Sequence, residues 1–342
     1  MGRMCHCLRR VSLKDIAEKT GYSINTVSRA LKDKEDIAEA TRKLIKETAR
    51  KMGYISTSFS SSLRSGYTKT IALILGDISN PHFAIITKEI EKNAWKHKYS
   101  LLIINTDEDP DIEEQAIYAA ISKKVDGIII CPTQKRKSNV EFIQKAGIPF
   151  VLIGRYFEDM DTDYVVCDDK KGGYLAIRHL IELGHKRILF LNGPGYISSA
   201  RERLAGYRKA LSEGSIEFDP SLVCEIPITL GNSGKHISKA LEKTSGYTAI
   251  LAFSDLIAWE TAYALGKKNI RTPSDISIVG FDDIQSRFYF AIPLTTIRSS
   301  KSGMAKRAFD ILLRRINQGL EGECIHDVLD VRLVVRSSTK NI

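Results

Sequence analysis

Asn25 and Arg29 lie four residues apart in Ser23-Ile-Asn-Thr-Val-Ser-Arg-Ala-Leu31, so a helix over this stretch puts both on one face. Their side chains suit bidentate contacts with base edges in the DNA major groove, an amide with adenine and a guanidinium with guanine. Other sets invite chemistry and fail on spacing. Gly231-Asn-Ser-Gly-Lys235 looks like a phosphate loop, but that loop needs Gly-x-x-x-x-Gly-Lys-Ser/Thr, and here Thr229 and His236 stand at two required positions. Cys5-His6-Cys7 offers three metal-ligating groups with no partner pair at zinc-site spacing. Cys131, Cys167, Cys224 and Cys324 are isolated among apolar residues, which suits reduced thiols. No Ser/His/Asp or Cys/His arrangement ties to a motif, so the expectation is a protein that is not an enzyme and needs no cofactor or metal.

Short helices must position Asn25 and Arg29. Leu13, Ile16 and Ala17 fall at i, i+3 and i+4, the apolar face of one helix. Ser12 can cap it and Gly21 can end it in a left-handed turn. Ser23 caps a second helix with Val27, Ala30 and Leu31 inward and Ile24, Asn25, Ser28 and Arg29 outward. A third is expected from about Ile37 to Met52, with Leu44, Ile45, Thr48 and Met52 inward and Asp36 with Glu39 as its capping box. Two short helices around a glycine turn make a helix-turn-helix. Charge agrees: residues 1–67 hold 14 Lys/Arg against 7 Asp/Glu, most of the chain's net +10. A compact basic module on a near-neutral body points to a polyanion.

These residues resemble the DNA-binding domain of the lac repressor (LacI) family. The resemblance rests on Leu13-Lys-Asp-Ile-Ala17, Thr26-Val-Ser-Arg-Ala-Leu31, Thr41-Arg42 and Gly53-Tyr54. It implies that Ile24, Asn25 and Arg29 read bases. Ser12, Ser23, Thr26 and Ser28 would then hold phosphates, which positions the helix without reading sequence. Residues 55–67 form a Ser-rich linker. The resemblance makes them a hinge that becomes helical on operator DNA, with Leu63 wedged into the minor groove beside its dimer mate and Arg64 adding a cation there. Ser56 and Ser60-Ser61-Ser62 replace the family's usual proline and more helix-favouring residues, so hinge folding should cost about 1 kcal/mol more.

From Thr68 the pattern changes. Apolar runs Ile71–Leu75, Leu101–Ile104, Gly127–Ile130 and Phe150–Ile153 alternate with amphipathic stretches, and the series restarts at Ile188–Leu191, Ile250–Phe253 and Ile276–Gly280. That alternation signals parallel α/β sheets, two of them, around a cleft. The family fold is the same, like the type I periplasmic sugar-binding proteins. Its further anchors are Asp77-Ile-Ser-Asn-Pro81, Val125-Asp-Gly-Ile-Ile, Gly184-His-Lys-Arg-Ile, Arg201-Glu-Arg-Leu-Ala-Gly206, Ser274–Asp283 and Pro293–Ile297. The resemblance implies three crossings between lobes, near Cys167, near Leu294 and around Val328–Val335, with the helix Lys301–Asn317 returning to the first lobe.

Such sheets bind ligands beyond the carboxyl ends of their strands. The residues there are Asp77, Asn80, His82, Phe83, Cys131 and Arg155 in the first lobe, and Arg203, Ser254, Phe281 and Asp282 in the second. Carboxylates and arginines can take vicinal hydroxyls while a ring stacks on the apolar face of a sugar. By resemblance, Arg203 and Asp282 contact the effector, and Ser254 often does. Structural roles compete: Asp255 as a helix cap, Asp283 as a loop cap, Arg155 as a bridge between lobes, Phe83 as core and His185 as a structural histidine.

The 342 residues are 43% apolar and 27% charged, ordinary for a folded globular protein. No apolar run is long enough for a transmembrane helix. Met1–Arg10 is basic with no apolar stretch after it, which argues against a secretory signal and for a disordered extension. The fold expected is an N-terminal all-α helix-turn-helix head plus an α/β two-lobed periplasmic-binding-protein-like (type I) effector domain. Its parts are an extension at 1–10, the head at 11–54, the hinge at 55–67 and the effector and dimerisation domain at 68–342. Lobe 1 takes about 68–167 and 296–327, and lobe 2 about 168–293 and 328–342. The function expected is a cytoplasmic, sequence-specific transcriptional regulator, a repressor. It acts as a homodimer on pseudo-palindromic operator DNA under a small-molecule effector, a carbohydrate. The alternatives are a catabolite-control type regulator with a protein co-effector and, ranked below it, a solute-binding protein.

Overall fold

A computed structural model describes residues 11–55, 66–229, 231, 233–286 and 292–342. The extension 1–10 and the hinge residues Leu63 and Arg64 lie outside the described residues. The chain divides into two compact units, Met1–Gly66 and Tyr67–Ile342.

The first unit contains helices α1 (Leu13–Thr20), α2 (Ile24–Leu31) and α3 (Glu39–Lys51). Ser12 opens α1 with a capping box: its hydroxyl receives the Asp15 amide while Asp15 receives the Ser12 amide. Gly21 closes α1 at φ 74°, the left-handed conformation that glycine adopts at little cost. Ser23 caps α2 through the Thr26 amide at 3.1 Å. Ile16, Val27 and Ile45 are fully buried and meet with Ala17, Ala30 and Ala49. Each large side chain contributes roughly 1.5–3 kcal/mol on burial. Two expectations fail in α3. Leu44 is 48% exposed, because the helical period puts Ile45 and Ala49 inward and turns Leu44 aside. Asp36 forms no capping box either: α3 starts at Glu39 after Ala38, and Asp36 pairs with Arg29.

The second unit holds two six-stranded sheets. The first contains β1 (Thr70–Leu75), β2 (Ser100–Asn105), β3 (Gly127–Ile130), β4 (Phe150–Ile153), β5 (Tyr164–Cys167) and β11 (His326–Leu329), in the order β11-β5-β4-β3-β1-β2. The second contains β6 (Ile188–Asn192), β7 (Val223–Glu225), β8 (Ala249–Ala252), β9 (Ser277–Asp282), β10 (Thr295–Arg298) and β12 (Arg332–Val334), in the order β12-β10-β9-β8-β6-β7. All pairings are parallel except β12 on β10. The helices between strands are α4 (Pro81–Lys96), α5 (Pro110–Ser122), α6 (Ser138–Lys145), α7 (Asp169–Glu182), α8 (Ser198–Glu213), α9 (Ser233–Lys243), α10 (Asp255–Gly266) and α11 (Lys301–Gln318). Central strands are buried throughout, as parallel strands covered on both faces must be.

The chain passes between sheets after Cys167, after Arg298 and between Leu329 and Arg332. The middle passage therefore falls later than Leu294, and residues 296–298 belong to the second sheet. The reason is that Thr295–Arg298 pairs with Val279–Asp282, while Leu294 is packed in the second lobe's core. Val328 and Leu329 correspondingly stay in the first sheet, paired with Val166 and Cys167. His185 is fully buried between Thr248 at 2.8 Å and Ser277 at 3.0 Å.

Two features allow measurement. Helices α7 and α8 touch where a Cβ on Gly173 would lie 2.3 Å from the Arg203 carbonyl oxygen. Gly173→Ala is expected to lose about 1–3 kcal/mol in urea unfolding, since neither backbone can yield without repacking; an unchanged midpoint would show that the helices separate freely. Asp255 is fully buried and accepts from Thr296 Oγ1 at 2.6 Å and from the Ile284 amide at 2.9 Å. Burial, with Asp282 nearby, pushes its pKa up to about 8. The folded state then holds this proton more tightly than the unfolded chain, so stability from this group falls as pH rises from about 4 to about 8. Asp255→Asn keeps both partners and removes that slope. Its urea midpoint relative to wild type should climb between about pH 5 and pH 8; parallel profiles would mean that the carboxyl is ionised throughout.

Candidate functional site

The head presents one face of α2. Ile24 is 50% exposed, Asn25 and Arg29 are exposed, and Thr26 and Ser28 are half-buried. Arg29 is not idle: its guanidinium pairs with Asp36. Ser12 and Ser23 spend their hydroxyls on helix caps, and Thr26 Oγ1 lies 2.9 Å from Ser23 Oγ. These groups cluster at the N-termini of α1 and α2 and the outer side of α2.

The second unit holds a cleft between its two sheets. Asn80, His82, Phe83, Cys131 and Arg155 line it from the first lobe, and Arg203, Ser254 and Asp282 from the second. The cavity measures about 90 Å³. That is well above the roughly 10–15 Å³ needed to admit one water, so the cavity has room for a small polar molecule. Asn80 caps α4 by accepting the His82 amide at 3.0 Å, and Ser254 caps α10 by accepting the Ile257 amide at 3.3 Å. Both therefore stand at helix starts that face the cavity. His82 Nδ1 lies 3.2 Å from Asp282 Oδ1 across the lobes, without hydrogen-bond geometry. Phe83 meets the His82 ring edge-on at 5.3 Å.

Arg203 is the most constrained group. Its Nε donates to Asp169 at 2.7 Å, one terminal nitrogen donates to the Phe253 carbonyl, and its guanidinium lies 3.5 Å from the Phe281 ring centroid and 4.3 Å from that of Phe253. Burial holds the Asp169 carboxyl above its usual range despite Arg203. Burial opposes the charge on Asp282 too, but His82, Arg203 and Lys301 outweigh it and hold that pKa below the usual value. Asp282 is thus the ionised acceptor of the second lobe. Its φ of 105° turns the chain at the end of β9, and Lys301 donates to its carbonyl. Cys131 is buried, with its thiol pushed up to about 12 by burial, so it offers the cavity a neutral sulfur.

Two residues expected in the site sit elsewhere. Phe281 is fully buried beneath Arg203 and supports it rather than lining the cavity. Asp77 accepts from the Ser79 amide at 2.8 Å and hydroxyl at 2.6 Å, a local turn outside the cavity lining. Asp255 does not cap α10, which Ser254 does, and Asp283 is held by Arg298 and by Arg336 at 2.7 Å. Sequence reading missed Glu108, Asp169, Phe253 and Glu260, all on the cavity wall. It also missed Gln134 of the first lobe, whose side-chain oxygen accepts the Ser198 amide at 2.9 Å and thereby caps α8 of the second. A polar residue just after β3 was the available signal, by the rule that picked Cys131.

Comparison with known proteins agrees along the chain. Residues 12–56 match the model for bacterial regulatory proteins of the lacI family, and residues 68–329 match that for periplasmic binding proteins and the sugar binding domain of the LacI family. The HTH-type transcriptional repressor PurR of Haemophilus influenzae (strain PittEE) is 30% identical over 334 residues, covering 97% of this chain and 99% of that protein. Among solved structures, a transcriptional regulator CelR–cellobiose complex superposes with a TM-score of 0.73 at 26% identity, over 96% of this chain and 100% of that one. A lac repressor dimer bound to operator and the anti-inducer ONPF shares the fold, with a TM-score of 0.81 at 24% identity over 97% and 100% of the two chains. With both parts matched, this chain belongs to the LacI family of bacterial regulatory proteins.

Proposed function

We propose that this protein is a cytoplasmic repressor that binds a pseudo-palindromic operator as a homodimer and releases or grips it in response to a neutral polyhydroxylated effector, a sugar, in the cleft. The observation that carries the reading is the pairing, in one chain, of an outward Asn25/Arg29 helix face with a cavity where Arg203 stands on two aromatic rings beside Asp282. Ionised Asp282 accepts from hydroxyls, Arg203 donates to them, and Phe83 offers a ring edge or face to an apolar sugar surface. Binding alone does this work, and no bond need be made or broken. The cellobiose of the CelR complex supports the ligand class.

In the head, Asn25 and Arg29 read base edges, with Ile24 as the apolar contact, while Ser12, Ser23, Thr26 and Ser28 border the phosphates. Arg29 exchanges Asp36 for DNA. Effector and operator are coupled by linkage, so whatever factor the effector takes from operator affinity, the operator takes from effector affinity.

The effector class is found by thermal unfolding against sugars, sugar phosphates and purines, where a ligand at about 100 times its Kd adds roughly 2.7 kcal/mol. Asp282→Asn keeps a residue type that tolerates positive φ. It is expected to weaken the hit by about 1.5–3 kcal/mol, the worth of a hydrogen bond to a charged group, and to leave operator affinity intact. A full effector response in that variant would move the site. In the head, Asn25→Ala should cost about 1–3 kcal/mol on an operator selected from a random library and relax one base position. Its salt slope should stay that of wild type, because no phosphate contact is lost. Unchanged selectivity would remove α2 as the reading helix.

A further inference from the structure

We propose that Glu108 makes the cleft selective for an uncharged ligand, so that phosphate esters and carboxylates of otherwise suitable size are refused. This rests on the reading of the cleft as the effector site.

Arginines in a ligand cavity ordinarily invite anions. Here both guanidiniums on the described wall are already committed. Arg155 is held in bidentate fashion by Glu108, at 2.8 Å for each nitrogen–oxygen pair, and donates again to the Pro132 carbonyl at 2.8 Å. Arg203 is held by Asp169 and the Phe253 carbonyl. Among the described lining residues, Glu108, Asp169, Glu260 and Asp282 stand against Arg155, Arg203 and the imidazole of His82, which already faces Asp282 at 3.2 Å. The Arg155 and Glu108 side chains are each 6% exposed. An anion that took Arg155 would strand a buried carboxylate without its partner, which is strongly unfavourable. A hydroxyl can bond at the margin of the pair and leave it whole.

The fold goes to some length to put Glu108 there. Asp107 and Glu108 both take left-handed backbone, at φ 50° and 58°, which is uncommon for residues other than glycine. The carboxylate lies over Gly76, where a Cβ would come within 2.2 Å of Oε1. Lys135 donates to the Glu108 carbonyl at 2.9 Å and holds the loop down. Strained backbone is retained where the surroundings over-determine it, and that is characteristic of ligand sites.

The test has two arms, both on the full chain. In the first, neutral and phosphorylated partners are titrated by calorimetry: glucose with glucose 6-phosphate, and ribose with ribose 5-phosphate. Wild type is expected to bind the phosphorylated member of a pair at least about 100-fold more weakly than the neutral one, since Glu108 and Asp169 already hold the two guanidiniums that would take its charge. Equal or tighter binding of the ester overturns the proposal. The second arm uses inorganic phosphate and does not depend on knowing the effector. Glu108→Gln releases Arg155 and should gain at least about tenfold in phosphate affinity over wild type, and adding Arg155→Gln should abolish the gain. Cations of the head are common to all variants and cancel. Asp169→Asn releases Arg203 and repeats the measurement on the other lobe. A folded Glu108→Gln protein with no gain overturns the proposal. If neither glucose nor ribose binds wild type, the neutral and phosphorylated pair is taken from the sugar that the thermal panel finds, and the phosphate arm still decides the role of Glu108.

Discussion

The cleft takes Glu108, Asp169, Asp255, Asp282 and Asp283 out of water, each 8% exposed or less. Burying a carboxylate is costly unless cations or donors replace its hydration. Each group meets that demand differently. Glu108 and Asp169 take one guanidinium apiece. Asp283 takes two, from Arg298 and Arg336. Asp282 is ionised among His82, Arg203 and Lys301. Asp255 is in no ion pair among the described residues and resists ionisation. The architecture follows from these needs. Arg298 ends β10 and Lys301 begins α11, on either side of the middle passage, and Arg336 follows β12, so three cations converge at the end of β9. A ligand that draws on Asp282 therefore acts one residue from the pairs that tie β9 to the passages.

The opposite rim of the cleft is held by weaker means. Gln134 caps α8, the Tyr156 amide donates to Ser198 Oγ at 3.2 Å, and the Tyr156 hydroxyl donates to Glu202 at 3.3 Å. Arg201 meets the more exposed Glu158 at 3.0 Å. The two neutral hydrogen bonds at Ser198 contribute about 0.5–1.5 kcal/mol each, and an exposed ion pair such as Arg201 with Glu158 about 0–1 kcal/mol. Breaking a buried ion pair costs about 3–5 kcal/mol. Contacts at the rim are thus cheaper to exchange than the ion pairs at the end of β9, and a ligand moves the balance of lobe arrangements only through its differential affinity for them.

Much of this was legible from local pattern. The spacing of Leu13, Ile16 and Ala17 gave α1 its face, Gly21 gave the turn, and continuous apolar runs marked the central strands. Taking residues just past each strand found Arg155, Ser254 and Asp282 on the cavity wall. The failures share a cause. Glu108 sits in the acidic stretch Asp107-Glu-Asp-Pro-Asp111, which locally reads as charge before a helix, and only its partner 47 residues away reveals its role. Gln134 and Ser198 are 64 residues apart. Leu294 looked like a passage because nothing local showed that Thr295–Arg298 pairs with β9. Leu44 and Ile45 are adjacent apolar residues, and only the face shared by Ile45 and Ala49 packs inward, which leaves Leu44 aside. Periodicity reports which face is buried, but it does not report which buried charge finds which.

That distinction separates two arginines that look alike in sequence. Arg29 pairs with Asp36 at the surface, with the two side chains 47% and 49% exposed. Such a pair is worth about 0–1 kcal/mol, so the guanidinium can leave it for a base edge or a phosphate at small cost. Arg155 makes a chemically similar pair at 6% exposure, and release there would leave a carboxylate with neither water nor cation. On the proposed reading the first ion pair is a resting place for a group that works elsewhere, while the second is part of the wall. Burial, and not residue type, separates the two arginines, and under the proposed reading it leaves the polyanion to the head and an uncharged ligand to the cleft.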